Sequence, residues 1–466
     1  MTSDDDTLPK LSQELDTFHI SPTAEASPIS SLFPEILCHI FILALPPLEG
    51  HSPLDNRLSP TRRLAQTKDG LWPLGPPWSL AQVCAHWRSV ALGYGPLWST
   101  IVVPQITPSH HSTCSLFYFK LILERSSSAP LDVLIRLNQC NKFVDIMIQT
   151  IVVHCARWRS LWIECDGQRL PPDEFGDSRL GTLPLLRHLT INGALGLRLE
   201  ERFYSMFSDA PNLRSVALRS PGDLSHREIV LPWAQLTSYR AKDPSASAHF
   251  KRLLVTTQLV HCDLDFDDAQ FPGIPADLRG VVTLQRLRRL VITNTEVLQH
   301  IIAPCLQELQ VHGVVDHVPS FMHRSSCVLT RLTLFMCISP ASQIVALLQL
   351  ASSITVLELD YLGSADETAV LISALTIGAA EPICPGLASL SWGDRNDVVD
   401  RESLVDMVES RWRLDPPGQL RFVGVYLGCR RMKAAGWRLR CLANEGLEVV
   451  LRIQKKGRRV MERWRE

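Results

Sequence analysis

A short apolar pattern recurs from about residue 158 to the end of the chain and constrains the fold more than any other feature. The pattern is apolar-x-x-apolar-x-apolar. The central residues of its copies run from Leu161 to Val423, with a mean spacing of about 26 residues, which is typical of a solenoid repeat. A degenerate copy begins at Leu236. The clear copies begin at Trp158, Leu186, Leu213, Leu259, Leu287, Leu306, Leu329, Ile354, Leu387 and Leu420.

The spacing within one copy predicts a short strand, because alternate residues of a strand lie on opposite faces. One copy cannot bury its apolar side alone, whereas stacked copies bury a continuous core and form a parallel sheet. Helical segments such as 341–350 fall between some of the strands. We therefore expect an α/β solenoid over 158–436, preceded by a connecting α/β segment at 104–157. A helix starting at Trp437 and a strand ending at Ile453 are expected to form a cap within 437–466, which also carries a basic tail.

The first hundred residues have a different pattern. Residues 1–28 are acidic and rich in Ser, Thr and Pro, which predicts disorder. Apolar residues at helical spacing predict a helix over 30–45, with Pro34 in its first turn. A polar stretch at 46–77 predicts a loop, and a second amphipathic helix is expected over 79–92 with Ser79 as its N-cap. A short strand at 99–103 follows.

These N-terminal elements resemble an F-box. The resemblance rests on Phe33-Pro34-Glu35-Ile36-Leu37-x-x-Ile40-Phe41, then Val83-Cys84-x-x-Trp87-Arg88, then Leu97-Trp98. The later copies resemble leucine-rich repeats. The whole chain is similar to fungal F-box proteins that join this module to irregular leucine-rich repeats. On this resemblance, 29–103 is an F-box-like helical module with an insertion at 46–77, and the fold is that module followed by a leucine-rich-repeat-like horseshoe.

The resemblance implies a non-enzymatic role. An F-box binds the Skp adaptor, and through it a cullin scaffold, so the chain would be the substrate-recognition subunit of a ubiquitin ligase whose repeats bind a protein substrate. The sequence leaves open which apolar side chains face the adaptor and which form the module's own core. A helical hairpin that caps a larger domain, and a repeat scaffold with no ligase role, are the alternatives. The residues expected at the adaptor contact are Leu32, Pro34, Ile36, Leu37, Ile40, Phe41, Val83, Cys84, Trp87, Leu97 and Trp98.

The side chains between the apolar positions are expected on the concave face of the repeats. They mix both charges with an aromatic ring, which favours a protein or peptide ligand over nucleic acid, although solvated side chains are the alternative for each one. The copies lack the Asn that usually follows the strand, and Cys337 alone fits that position, so an uneven horseshoe is expected. The candidate substrate-binding residues are His188, Thr190, Arg289, Glu308, Gln310, His312, Arg331, Phe335 and Glu358, with Ser215 and Asp360 beside them.

Charge and hydropathy argue against membrane and nucleic-acid partners. The net charge of −1 gives no general attraction to anionic surfaces. The acidic N-terminus does not resemble a secretory leader, and the most apolar run, 36–45, is too short to span a bilayer. A cytoplasmic or nuclear protein with reduced, scattered cysteines is expected. The basic run 455–459 leaves nuclear targeting open as a further alternative.

Catalytic patterns are lacking from the sequence. It contains no phosphate-binding Gly-x-x-x-x-Gly-Lys loop, no Gly-x-Ser-x-Gly elbow and no His-Glu-x-x-His helix. His110 and His111 are adjacent, which is poor geometry for one metal ion. An acidic cluster at Asp263, Asp265, Asp267 and Asp268 could hold a hard cation, but a solvated loop is favoured. No catalytic residue, metal or cofactor is therefore expected.

Overall fold

The structure of the protein is a computed structural model. It describes residues 32–45, 76–103, 112–137, 142–165, 182–193, 205–219, 229–242, 246–266, 280–378, 382–394, 398–413, 420–427, 434–455 and 458–464. The predicted acidic N-terminus, most of the 46–77 loop, His110 and His111 lie outside these residues.

The chain forms two compact units. The first comprises the chain up to Ser99 together with Phe117–Ala129, and the second comprises Thr100–Leu116 together with Pro130–Glu466. The first unit is helical. It contains α1 (Pro34–Ala44), short 3-10 helices at Leu80–Gln82 and Gly95–Trp98, α2 (Ala85–Gly93) and the Phe117–Arg125 part of α3 (Ser112–Arg125).

The second unit is built on a large parallel sheet in which strand order follows chain order. Fourteen strands run parallel, and β17 pairs antiparallel with β16 at the C-terminal end. A separate two-stranded pair is formed by β8 (Val282–Thr283) and β10 (Ile301–Ile302). The main sheet contains β1 (Thr100–Val103), β2 (Leu131–Leu137), β3 (Trp158–Cys165), β4 (His188–Gly193), β5 (Ser215–Arg219), β6 (Ser238–Lys242), β7 (His261–Asp265), β9 (Arg289–Ile292), β11 (Glu308–His312), β12 (Arg331–Cys337), β13 (Val356–Tyr361), β14 (Ser389–Asp394), β15 (Phe422–Leu427), β16 (Glu448–Lys455) and β17 (Arg458–Trp464).

The apolar pattern places its side chains in register across this sheet. The central residue of every copy, from Leu161 to Val423, lies in a strand and is buried. Backbone pairing aligns these residues, as Leu309, Leu332 and Leu357 show on adjacent strands. Polar neighbours alternate with them at half-buried positions. The expected alternation of buried and polar positions is therefore confirmed.

The connections change character along the sheet. Before β9 the chain returns through α4 (Lys142–Val152), α5 (Ala246–Val255) and 3-10 turns, including Cys155–Arg157 and Trp233–Gln235. A 3-10 helix at Thr295–His300 lies between β9 and β11. From β11 to β16 an α-helix lies between each pair of successive strands. These helices are α6 (Val318–Ser325), α7 (Ala341–Leu350), α8 (Ala365–Leu375), α9 (Arg401–Trp412) and α10 (Ala434–Asn444).

The sheet extends beyond the predicted repeat region at both ends. The 99–103 strand, which was expected in the N-terminal module, is β1 and pairs with β2. At the other end, β16 continues the parallel order and β17 reverses it. Among the described residues, none of the helices is both long and apolar enough to cross a bilayer.

The predicted helix over 79–92 is wrong in one respect, because it is broken at Val83 and Cys84. A 3-10 turn ends at Gln82, and α2 begins only at Ala85. Cys84 has extended backbone and is the N-cap of α2, whereas Ser79 precedes the 3-10 turn and makes no side-chain capping bond. The break turns the side chain of Val83 outward instead of into the expected apolar stripe.

Candidate functional site

Helix α1 has one buried face. Leu37 and Phe41, four residues apart, are fully buried, and the Phe41 ring packs on Trp87 of α2 with 5.0 Å between ring centroids. Side chains at this spacing lie on the same side of a helix. This face therefore fixes α1 against α2.

Trp98 is the centre of the remaining core of the helical unit. Its ring is buried, and its indole Nε1 donates a hydrogen bond to the carbonyl oxygen of Ala91 at 2.7 Å. Trp78 packs edge-on against it at 4.9 Å, and the guanidinium of Arg125 lies 4.5 Å from its ring centroid. Leu97 beside it is also buried. The Leu-Trp element is therefore structural.

A second face of α1, beside the buried one, is apolar and exposed. Phe33, Ile36, Ile40 and Leu43 follow each other at intervals of three or four residues, which places them along one side of the helix. Their exposure is high, with Leu43 at 83% and Phe33 at 71%. Single exposed apolar residues are ordinary on protein surfaces, but a continuous row marks an interaction site. We call these four residues the α1 stripe.

The start of α2 is held by local bonds. The Cys84 sulfur accepts from the backbone N–H of Trp87 at 3.4 Å, and Arg88 Nε donates to the carbonyl oxygen of Ala81 at 3.0 Å. These bonds hold the exposed side chain of Val83 at the junction between the two short helices. The indole Nε1 of Trp87 is buried and has no hydrogen-bond partner among the described residues.

The structure divides the eleven residues predicted for the adaptor contact into three groups. Buried in the unit's own core are Leu37, Phe41, Leu97 and Trp98, half-buried are Leu32, Cys84 and Trp87, and exposed are Pro34, Ile36, Ile40 and Val83. The first group is unavailable to a partner while the unit stays folded. Sequence reasoning missed Phe33 and Leu43, although their helical spacing with Ile36 and Ile40 is visible in the sequence.

The nine predicted substrate-binding residues all lie at half-buried positions of the sheet. They alternate with the buried apolar residues, so they occupy the polar face. Several form cross-strand ion pairs. Arg289 Nη1 lies 3.0 Å from Glu308 Oε2, and Arg331 Nη1 lies 3.0 Å from Glu358 Oε1. These pairs leave little net charge in this part of the face.

Gln310, His312 and Phe335 form a small polar and aromatic cluster on β11 and β12, C-terminal to Glu308 and Arg331 along the two strands. Gln310 Nε2 and His312 Nε2 are 3.0 Å apart, and the His312 and Phe335 rings are 4.8 Å apart. Next to Phe335, a bulge in β12 exposes Met336, whose φ is 50°. His188 and Thr190 do not join this cluster, because β5, β6 and β7 separate their strand from β9.

The acidic cluster was interpreted wrongly in part. Asp263 and Asp265 lie in strand β7 and not in a solvated loop, whereas Asp267 and Asp268 lie outside the described residues. Asp263 Oδ2 pairs with Arg240 Nε at 2.8 Å, and Asp265 Oδ2 pairs with Lys242 Nζ at 2.9 Å. Burial raises the pKa of Asp263, and the positive charge of Arg240 opposes that shift.

Arg240 and Lys242 were missed because they lie in the degenerate copy that begins at Leu236. The alternation around Tyr239 would have placed both on the polar face. Together with Asp263 and Asp265 they extend the row of ion pairs toward the N-terminal half of the sheet. Within the described part of the chain, no three acidic, His or Cys side chains are grouped so as to hold a metal ion.

Comparison with known proteins gives no family. No protein-family model matches the sequence, and no curated protein matches it.

Proposed function

We propose that this chain is a non-enzymatic F-box adaptor: its helical unit binds the Skp adaptor of a cullin-type ubiquitin ligase, and its sheet unit is a leucine-rich-repeat-like solenoid that binds a protein substrate. The observation that carries the proposal is the α1 stripe, an exposed apolar row on a helix that is already packed through the neighbouring face of Leu37 and Phe41. The proposal deepens the F-box resemblance, because Ile36 and Ile40 of the motif lie in the stripe.

In α1, the residues that hold the helix in place differ from the residues that are exposed to a partner. Leu37 and Phe41 hold the helix in place, so Ile36 and Ile40 can be presented without being needed for folding. A preordered helix with apolar anchors at this spacing suits a hydrophobic groove on a partner. Interfaces of this kind usually depend on a few central apolar side chains. Val83 adds an exposed apolar side chain at the α2 junction.

The solenoid part of the proposal is supported by strand order and register. Each strand of the main sheet pairs with the next main-sheet strand along the chain, as stacked repeats require. The copies recur about every 26 residues, within the range of leucine-rich repeats. A polar face that carries paired charges and aromatic rings suits a protein ligand. A location in the cytoplasm or nucleus follows from the proposed partner and is part of the proposal.

Co-expression with a Skp adaptor and co-purification tests the proposal. In the helical unit, Ile40→Asp places a charge in the centre of the stripe. We expect it to weaken adaptor binding by at least about 2 kcal/mol, since a desolvated charge would replace an apolar anchor. The matched control is Ile146→Asp on α4, because Ile146 and Ile40 are equally exposed at 40%. The control should bind as wild type does.

Circular dichroism on both variants separates loss of binding from loss of folding. Deleting the module up to residue 103 is a poorer test, because it would also remove strand β1 from the sheet. Folded wild type that fails to bind the adaptor would refute the ligase role. The competing proposal, a repeat-based interaction scaffold with no ligase role, would then account better for the polar face.

A further inference from the structure

Three consecutive copies of the repeat carry an arginine at the same position, within β3 or directly before β4 and β5. Arg159, Arg187 and Arg214 each directly follow the buried first apolar residue of their copy. Their backbones are joined in order, because the N–H of Arg187 donates to the carbonyl of Arg159 at 2.8 Å and the N–H of Arg214 donates to that of Arg187 at 3.0 Å. We call these residues the arginine row.

The row has more positive than negative charge. Arg159 forms a two-bond ion pair with the buried carboxylate of Asp132. Arg187 and Arg214 are exposed, and neither forms an ion pair with an acid among the described residues. Arg214 Nη1 instead donates to the carbonyl oxygens of Pro211 and Leu213, at 3.2 and 3.0 Å. Among the described residues, two cations of the arginine row therefore have no acidic partner.

The length of the arginine row limits the size of the ligand that it can bind. Neighbouring strands lie about 4.8 Å apart, so the three backbone positions span about 10 Å, the length of about three extended residues. The same repeat position continues as Thr237 directly before β6 and Val260 directly before β7, without charge. Such a short patch contrasts with the long basic stripe that nucleic acid requires.

We propose that the arginine row binds an acidic segment of a protein partner, with Asp or Glu carboxylates accepting hydrogen bonds from the guanidinium groups of Arg187 and Arg214. Guanidinium and carboxylate groups match in geometry, and Arg159, already held by Asp132, borders the site. This inference deepens the proposed function, because it names the chemistry of a substrate segment. It adds a site beside the polar-face residues predicted from sequence.

Fluorescence anisotropy of a labelled oligoglutamate peptide with the full chain tests the inference. The variant is Arg187→Gln/Arg214→Gln, which keeps Asp132 paired with Arg159. The matched control is Arg288→Gln/Arg421→Gln, which removes the same charge at the same repeat position. Both control arginines are exposed, and their backbone N–H groups bond to the uncharged residues Val260 and Ala388.

We expect wild type to bind oligoglutamate, to ignore a Gly-Ser peptide of the same length and to bind less as salt rises. The row variant should bind about tenfold more weakly, and the control should bind as wild type does. An equal loss of affinity in both variants would show that binding depends only on net charge and would overturn the inference. The inference would also be overturned if folded wild type did not bind oligoglutamate, or if it bound an oligothymidylate more tightly through the same two arginines. No Skp adaptor is present in this assay, so failure of the ligase role would leave its result unaffected.

Discussion

Replacing Arg411 by methionine should destabilise the segment that connects α8 to β14. Arg411 lies in the last turn of α9 and is 3% exposed. Its guanidinium donates to three backbone carbonyl oxygens: Leu375 at 2.7 Å, Ile383 at 2.7 Å and Cys384 at 3.2 Å. Leu375 ends α8, where carbonyl groups lack partners within the helix. One cation therefore satisfies three carbonyl groups of the chain.

The loss of stability in Arg411→Met follows from the three carbonyl groups that lose their hydrogen-bond donor. A hydrogen bond to a charged group contributes about 1.5–3 kcal/mol, so three of them set a gross loss of about 6 kcal/mol. Burial lowers the pKa of Arg411, which shows that the charge itself is held at some cost in desolvation. Methionine removes the desolvation cost of the buried charge, so the net loss of stability should be about 3 kcal/mol. Arg411→Lys, with a single charged nitrogen in place of a fork, should lose about half as much.

Hydrogen exchange followed by mass spectrometry measures this loss locally, which suits a chain of two units and many repeats. Amides of α8 and α9 that exchange by local opening should exchange about a hundredfold faster in Arg411→Met, the rate equivalent of about 3 kcal/mol. Arg413→Met is the control, because Arg413 is exposed at the end of the same helix. Equal protection of α8 and α9 in the two variants would refute the role given to Arg411.

Two further predictions concern single contacts. The Glu367 carboxylate accepts from Tyr361 Oη at 2.7 Å and from the N–H of Ala341 at 2.6 Å, and these bonds lower its pKa. The stability that these two bonds contribute is therefore present above the ordinary glutamate pKa, and it is lost as the pH falls through the lower pKa of the folded state. The difference in melting temperature between wild type and Glu367→Gln should therefore disappear on acidification. A gap that is independent of pH would contradict this assignment. Trp98→Phe removes the bond to Ala91 and leaves a cavity, which should destabilise the helical unit by about 2 kcal/mol in thermal unfolding, and a change below about 0.5 kcal/mol would argue against a central role for this ring.

The strand positions were predictable because they depend on local alternation. Every central residue of the repeat pattern, including Tyr239 in the degenerate copy, lies in a strand. Helix α7 has the bounds predicted from sequence, Ala341–Leu350. Strands β1 and β2 were not assigned to the sheet. Trp98, Ile101 and Val103 fit the spacing of the pattern but were assigned to the F-box-like module, and β2 carries only its last two positions, at Val133 and Ile135. Each strand is otherwise a short apolar run. Runs of that length do not identify their strand partners without tertiary contacts.

Site residues were predictable only as members of a pattern. The motif around Ile36, Leu37, Ile40 and Phe41 identified a set of apolar positions, but helical spacing alone does not say which side of α1 is covered. That depends on where the Trp87 ring lies, and the break at Val83 and Cys84 is part of what places it.

The sequence by itself determined the repeating strands, their buried and polar faces, and the two N-terminal helical regions, because these follow from periodicity within a few residues. Tertiary structure alone decided the cross-strand pairs and the arginine row, since Arg187 and Arg214 are 27 positions apart in the chain and become neighbours only through strand pairing. It likewise decided that Ile40 is exposed while Phe41 is buried. Burial and charge pairing depend on which elements meet, and that information is spread over the whole chain.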